Sequence, residues 1–290
     1  MADNDTSTEQ PQIFVTLVGE SAMVIIAWIL FTLTLIAAIY GVISWCIIKK
    51  FRHFRNYVIL SAIVANLLRF TVFQLSLALF TEKLVMTYPV FTVIPAFLMM
   101  FCSLSFHCWL LVLCYIFYVD FVKVFNIDIR RRYLKSSLFA WGLPSVTAFI
   151  YLALELVMFV YNSKVIITYN MFRIFTMIIL LIPAIISFVI YIVVLNSLFR
   201  GKVPNENISS HKMRRFYIAT LLFILSNIIV LTAIPEILQV PILAIDIIGE
   251  LGEYLNTIAL NVYIIIVKSN RMIWREFLDK IFKRNTFERK

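Results

Sequence analysis

Glycine and proline are scarce in this 290-residue chain, with 6 and 8 in all. No low-complexity linker and no sequence-level repeat is present, which excludes collagen-like and loop-rich architectures. Charge is also scarce. Asp, Glu, Lys and Arg make up 14% of residues, against about 25% in an ordinary soluble domain. The opening "MADNDTSTEQ" is polar and acidic. It lacks the basic start and early apolar core of a cleavable signal peptide, so the first apolar block reads as a retained span. There are four cysteines, Cys46, Cys102, Cys108 and Cys114, all in or beside apolar blocks. Their placement gives neither a disulfide framework nor a C-x-x-C metal motif. They are expected to be small buried hydrophobes. No nucleophile–base pair and no phosphate-binding glycine loop is visible, so no enzyme activity and no cofactor is expected.

What is abundant is apolar sequence. Hydrophobic residues make up 62% of the chain, and the mean hydropathy is +0.94. A bilayer crossing needs about 20 apolar residues. Seven blocks qualify: 21–48, 56–80, 88–119, 136–160, 174–199, 216–234 and 242–267. The expected fold is all-α, an integral membrane seven-helix bundle over residues 21–267. A short tail, 1–20, precedes it, and a basic segment, 268–290, follows. The third block is overlong, and Pro89 and Pro95 are expected to bend it or delay its start.

The net charge of +10 is distributed by topology, which argues against a nucleic-acid partner. The connections after blocks one, three and five and the segment after block seven hold 22 of the 26 Lys and Arg residues. The other side holds only Lys83, Lys164 and Arg173. Basic loops stay cytoplasmic, so the N-terminus is expected outside and the C-terminus inside, at the plasma membrane. Asp3, Asp5, Glu9 and Glu20 in a tail without Lys or Arg agree. Asn4-Asp5-Thr6 is an N-glycosylation acceptor pattern on that side. Asn207-Ile208-Ser209 matches the same pattern but falls in a cytoplasmic loop. After block seven, Met272, Ile273, Phe277, Ile281 and Phe282 oppose Arg275, Asp279, Lys280 and Lys283. That pattern predicts an amphipathic helix on the inner membrane face; a solvated basic tail is the alternative.

Seven spans, an outside N-terminus and a membrane-surface helix resemble a G protein-coupled receptor over nearly the whole chain. The second block, with Asn56-Tyr57, Leu60-Ser61 and Val64-Ala65-Asn66-Leu67-Leu68, is similar to the second helix of rhodopsin-like receptors. There Asn66 takes the place of the sodium-linked aspartate. Pro183 with Tyr191, and Pro235, are similar to other signposts of that branch. Arg55-Asn56-Tyr57 with Arg69, Trp109-Leu110-Leu111-Val112, and Ser137-Leu138-Phe139-Ala140-Trp141-Gly142-Leu143-Pro144 instead resemble secretin-like, and especially methuselah-like, receptors. The chain departs from both branches. Leu113 stands where the secretin-like glutamate would fall, and Thr257-Ile258 where its Q-G pair would. Asp120-Phe121-Val122 lacks the arginine of D-R-Y, and Asn261-Val262-Tyr263 is only a partial N-P-x-x-Y. The loop "YNSKVIITYN" has no cysteine to bridge to block three, and no large extracellular domain is present.

Ionisable groups inside a span are costly and usually mark function. Arg69 lies about 20 Å along block two from its cytoplasmic start, at about 1.5 Å per residue. Glu250, Glu253, Thr257 and Asn261 share one side of block seven by their spacing. Arg69 is expected to point inward and pair with Glu253, or with Glu250. Snorkelling to the outer headgroups is the competing reading. Asn66 and Asn256 join this intramembrane polar set. Glu155 adds to an acidic outer mouth that would suit a cationic ligand. His107 is expected to be a buried, hydrogen-bonded histidine rather than a ligand contact. His53 and His211 fall in cytoplasmic segments, so no three-histidine metal site forms. The resemblance implies that Arg130, Arg131, Arg132, Arg214 and Arg215 face a G protein; attraction to anionic lipid would also account for them. The expected function is a cell-surface receptor signalling to a heterotrimeric G protein. A receptor-shaped protein that does not couple is the alternative, and a transporter or channel comes last, because matched broken spans are missing.

Overall fold

A computed structural model describes residues 10–79, 90–121, 132–162 and 165–199, together with 255, 257–262, 272, 274–276 and 279. The described structure is all-helical. Helix α1 is Gln10–Ile47, α2 is Phe54–Leu79, and α3 is Val90–Phe121. Helix α4 is the short Arg132–Ser137; it runs through a π-helical turn, Leu138–Gly142, into α5, Leu143–Asn162. Helix α6 is Val165–Phe199. Among the described residues, five stretches are long and apolar enough to cross a bilayer: Trp28–Ile47, Phe54–Ser76, Val93–Val119, Arg132–Leu154 and Ile178–Ser197. The chain is a multi-pass helical membrane protein. The expected block 216–234 lies outside the described residues, and block 242–267 is described only in part.

The helix ends follow from local chemistry. α1 starts at Gln10, well before the apolar block at residue 21. Pro11 sits in its first turn, where a missing N–H costs nothing. A helix need not stop where its apolar face does. At the other end, Arg52 folds back and donates from Nε to the Trp45 carbonyl and from Nη2 to the Cys46 carbonyl, each at 2.8 Å. These are carbonyls of the last helical turn, which would otherwise lack partners. Asn56 Nδ2 donates to the Phe51 carbonyl at 3.0 Å, fixing the turn into α2. α3 starts at Val90, directly after Pro89, and carries Pro95 inside.

The π-helical turn has an identifiable cause. Pro144 has no N–H, and in a regular helix its ring would collide with the carbonyl four residues back, that of Ala140. Widening Leu138–Gly142 by one residue relieves the collision. Ser145 Oγ then donates to the Trp141 carbonyl at 2.7 Å, which satisfies part of the disturbed backbone.

α3 is the centre of the fold. Residues 104–113 are buried without interruption, because α3 packs against α2, α5 with its π-helical turn, and α6. Trp109 has no exposed surface. It meets Tyr57 of α2 edge-on at 5.6 Å and Trp141 of the π-helical turn at 6.0 Å. Tyr57 also contacts Trp45 of α1 and Tyr133 of α4 and shares a 2.6 Å hydrogen bond with Ser137. One aromatic cluster thus joins four helices near the end of the fold where Lys49 and Arg132 lie. The outside is apolar: α1 exposes Ile25, Ile29, Ile36 and Ile43, and α5 exposes Phe149, Ile150 and Val157. Such surface would be an aggregation liability in water and is at no disadvantage in lipid.

All four thiols are free. Cys102 and Cys108 are buried, as small hydrophobes would be, and Cys114 is half-buried. Cys46 departs from that expectation and is exposed.

Candidate functional site

The interior of the fold carries a seam of polar side chains. On α2, Asn56, Ser61, Asn66, Arg69 and Gln74 are all buried. Asn66 Nδ2 donates to Thr257 Oγ1 at 3.0 Å. One turn on, Asn261 Nδ2 donates to Thr34 Oγ1 of α1, also at 3.0 Å. Thr34 passes its own proton to the Leu30 carbonyl at 2.7 Å. Thr257 and Asn261 are four residues apart and both buried, as their common face predicts. Together they tie the last apolar block to the first two helices.

A third tie lies further along. Trp274 Nε1 donates to Ser44 Oγ at 3.0 Å, and its ring stacks on Tyr40 at 5.9 Å. Ten residues separate Thr34 from Ser44 on α1, and thirteen separate Asn261 from Trp274. Both contacts advance toward the same end, so Trp274 lies beyond Asn261 in the direction in which α1 runs. Trp274 was absent from the apolar face read from the sequence. Its indole has a polar edge that the Ser44 hydroxyl satisfies, so it anchors on the bundle rather than in lipid. Met272 is exposed on the same segment, as are Arg275 and Asp279.

Arg69 is 7% exposed, so it does not reach a headgroup at the protein surface. Its guanidinium lies 5.4 Å from the Phe70 ring centroid and 5.5 Å from that of Phe106 on α3. It therefore points into the bundle. A guanidinium held over aromatic faces and away from water gains about 2 kcal/mol, which offsets part of its burial cost. His107, one residue on from Phe106, is buried, and its Nδ1 lies 2.8 Å from the Ser103 carbonyl. Several core polar atoms have no hydrogen-bond partner among the described residues: Asn66 Oδ1, Asn261 Oδ1, Ser105 Oγ and Trp109 Nε1. Buried groups of this kind are usually satisfied by other protein groups or by ordered water, so the seam retains hydrogen-bonding capacity.

Of the residues singled out from the sequence, the structure gathers Asn66, Arg69 and His107 on α2 and α3. Glu155 lies on α5, and Arg132 opens α4. Asn4, Arg130, Arg131, Arg214, Arg215, Glu250, Glu253 and Asn256 lie outside the described residues, and with them the expected partner of Arg69. Sequence reasoning missed Thr34, Gln74 and Ser105. A hydroxyl or amide inside an apolar block was the available signal. It is a weak one for hydroxyls, because many in these helices simply bond the carbonyl four residues back, as Thr71, Ser76 and Thr147 do.

No protein-family model matches this chain, and no curated protein sequence matches it.

Proposed function

We propose that this membrane protein is a seven-span plasma-membrane receptor that passes an extracellular signal to a heterotrimeric G protein. The observation that carries the reading is the pair of contacts Asn261–Thr34 and Trp274–Ser44, which advance in the direction in which α1 runs. α6, as the fifth apolar block, ends on the side where α1 ends. One further crossing, by block 216–234, returns the chain so that 257–274 can descend beside α1 and α2. That arithmetic gives seven spans and opposite sides for the two termini, with the basic segments cytoplasmic. The buried Asn66–Thr257 bond and the inward Arg69 then form a polar centre beneath the outer mouth, where Glu155, Glu250 and Glu253 would meet a cationic ligand. Arg130, Arg131, Arg132, Arg214 and Arg215 would face the G protein, and Asn4 would carry a glycan.

One observation favours a receptor-shaped protein that does not couple. Leu113 is buried in the core of α3, where the secretin-like branch has a glutamate. G-protein recruitment in cells without agonist separates the two readings. Coupling gives recruitment above that of an unrelated membrane protein, lost on replacing Arg214 and Arg215 with Ala. No recruitment from protein that reaches the surface would leave the non-coupling reading.

A further inference from the structure

A groove opens on the lipid-facing side of the fold where α3, the π-helical turn and α6 meet. Its floor is Leu111 and Val112, both buried. Tyr115 of α3, Phe139 of the π-helical turn, and Ile186 and Ile190 of α6 line it as well. The volume is about 300 Å³, at the lower bound of ligand sites, which run from about 300 to 1,000 Å³. That is room for part of a hydrocarbon chain and too little for a whole lipid. The groove exists because of the local sequence. The widened turn accommodates Pro144, and it carries Phe139, 38% exposed, at the groove's edge. π-helical turns of this kind are found disproportionately at functional sites.

The groove has a chemical polarity. Lys135 and Ser136 line it on the side where α3 and α6 run toward their C-terminal ends. Lys135 is exposed, and Arg132 lies one turn before it on α4. Among the described residues, no other titratable side chain except Tyr115 lines the groove. A cation and a hydroxyl at one end of an otherwise apolar slot match one partner class: a phosphate-bearing head continued by an acyl chain.

We propose that this groove is a binding site for a single anionic phospholipid, its net negative headgroup on Lys135 and Ser136 and one chain laid between Phe139 and Ile186. A sterol would leave Lys135 without a counter-charge. The orientation proposed above puts the basic end in the cytoplasmic leaflet, where anionic lipids are held. Only the choice of leaflet rests on that reading; binding by purified protein does not, so the two can fail separately.

Native mass spectrometry of the purified full chain tests the site. The protein is equilibrated with micelles doped with either phosphatidylserine or phosphatidylcholine of identical chains. The wild type should retain phosphatidylserine about fivefold more than phosphatidylcholine, the effect of roughly one cation near a lipid surface. Lys135→Gln should erase the preference, and Lys135→Arg should keep it. Ile186→Trp, at an exposed position that leaves the core alone, should lower retention of both lipids by filling the slot. Equal retention by the wild type overturns the proposal. So does a preference that survives Lys135→Gln, or retention unchanged in Ile186→Trp. Displacement of phosphatidylserine by cholesterol at equal concentration would reassign the groove to a sterol and overturn it too.

Discussion

α2 buries Asn56, Ser61, Asn66, Arg69 and Gln74, whereas α6 turns Ile178, Ile182, Ile185, Val189 and Ile192 outward at successive spacings of four and three. Both helices cross the membrane; α2 sets these polar groups among buried Val58, Ile59, Ile63 and Phe70, whereas α6 gives its outer face to isoleucine and valine, unlike a soluble protein's surface. The more apolar stretch, Ile178–Ser197, is the less buried of the two. In lipid an isoleucine gains nothing by moving inward, because the tails are as apolar as the core. A polar group gains a great deal, because outside it finds no partner. The comparison teaches where information sits in such a chain. α6 reports that there is a membrane. α2 reports what the bundle is built around.

The comparison can be broken first at Arg69. Leucine there removes a buried guanidinium from between Phe70 and Phe106, and the expected pairing with Glu253 or Glu250 would add the cost of stranding a buried charge, typically about 3–5 kcal/mol. Arg69→Leu should sharply lower the surface-expressed fraction and the melting temperature of purified protein. Arg69→Lys should restore only part of the loss, because an ammonium does not stack on Phe70 and Phe106 as the planar guanidinium does. Wild-type expression of Arg69→Leu would mean that the buried charge is not part of the bundle's design.

The mirror experiment places a charge where α6 faces lipid. Ile182→Lys, midway along α6, should cost about 2.5–3.5 kcal/mol of insertion, read as a lowered inserted fraction, while Ile182→Leu should be silent. If lysine is accepted there without loss, that face is covered by protein or water rather than lipid.

How much of this was legible in the sequence differs by helix for the same reason. Apolar block length locates α2, α3 and α6 within a few residues at most ends, because desolvation acts on the whole block at once. The start of α1 at Gln10 was not legible, since backbone hydrogen bonding continues past the apolar face. Nor was the start of α6 at Val165. The π-helical turn was hidden although Pro144 stood in plain view, because a proline can be met by a kink, a break or a widened turn, and packing against Trp109 and Phe101 bears on the choice. In the site, the depth of Arg69 and the shared face of Thr257 and Asn261 follow from helical periodicity. Their partners Thr34 and Phe106 do not, because no periodicity within one helix says which neighbour it meets.

The smallest effect belongs to the Asn66–Thr257 bond. Hydrogen bonds between membrane helices average about 0.6 kcal/mol and reach about 1.7. Asn66→Leu and Thr257→Val should each lower the melting temperature slightly, and the double variant should lose less than the two together. Strict additivity would mean that the two side chains act independently.

The central claim is that the last apolar block descends alongside α1. It is tested most directly by thiol crosslinking in a variant whose four native cysteines are replaced by alanine. Ser44→Cys with Trp274→Cys should be joined by a short bifunctional thiol reagent. Ile29→Cys with Trp274→Cys, fifteen residues before Ser44 and near the middle of α1, should not. The reverse pattern would make the final block antiparallel to α1. That would require an even number of crossings and contradict the seven-span account.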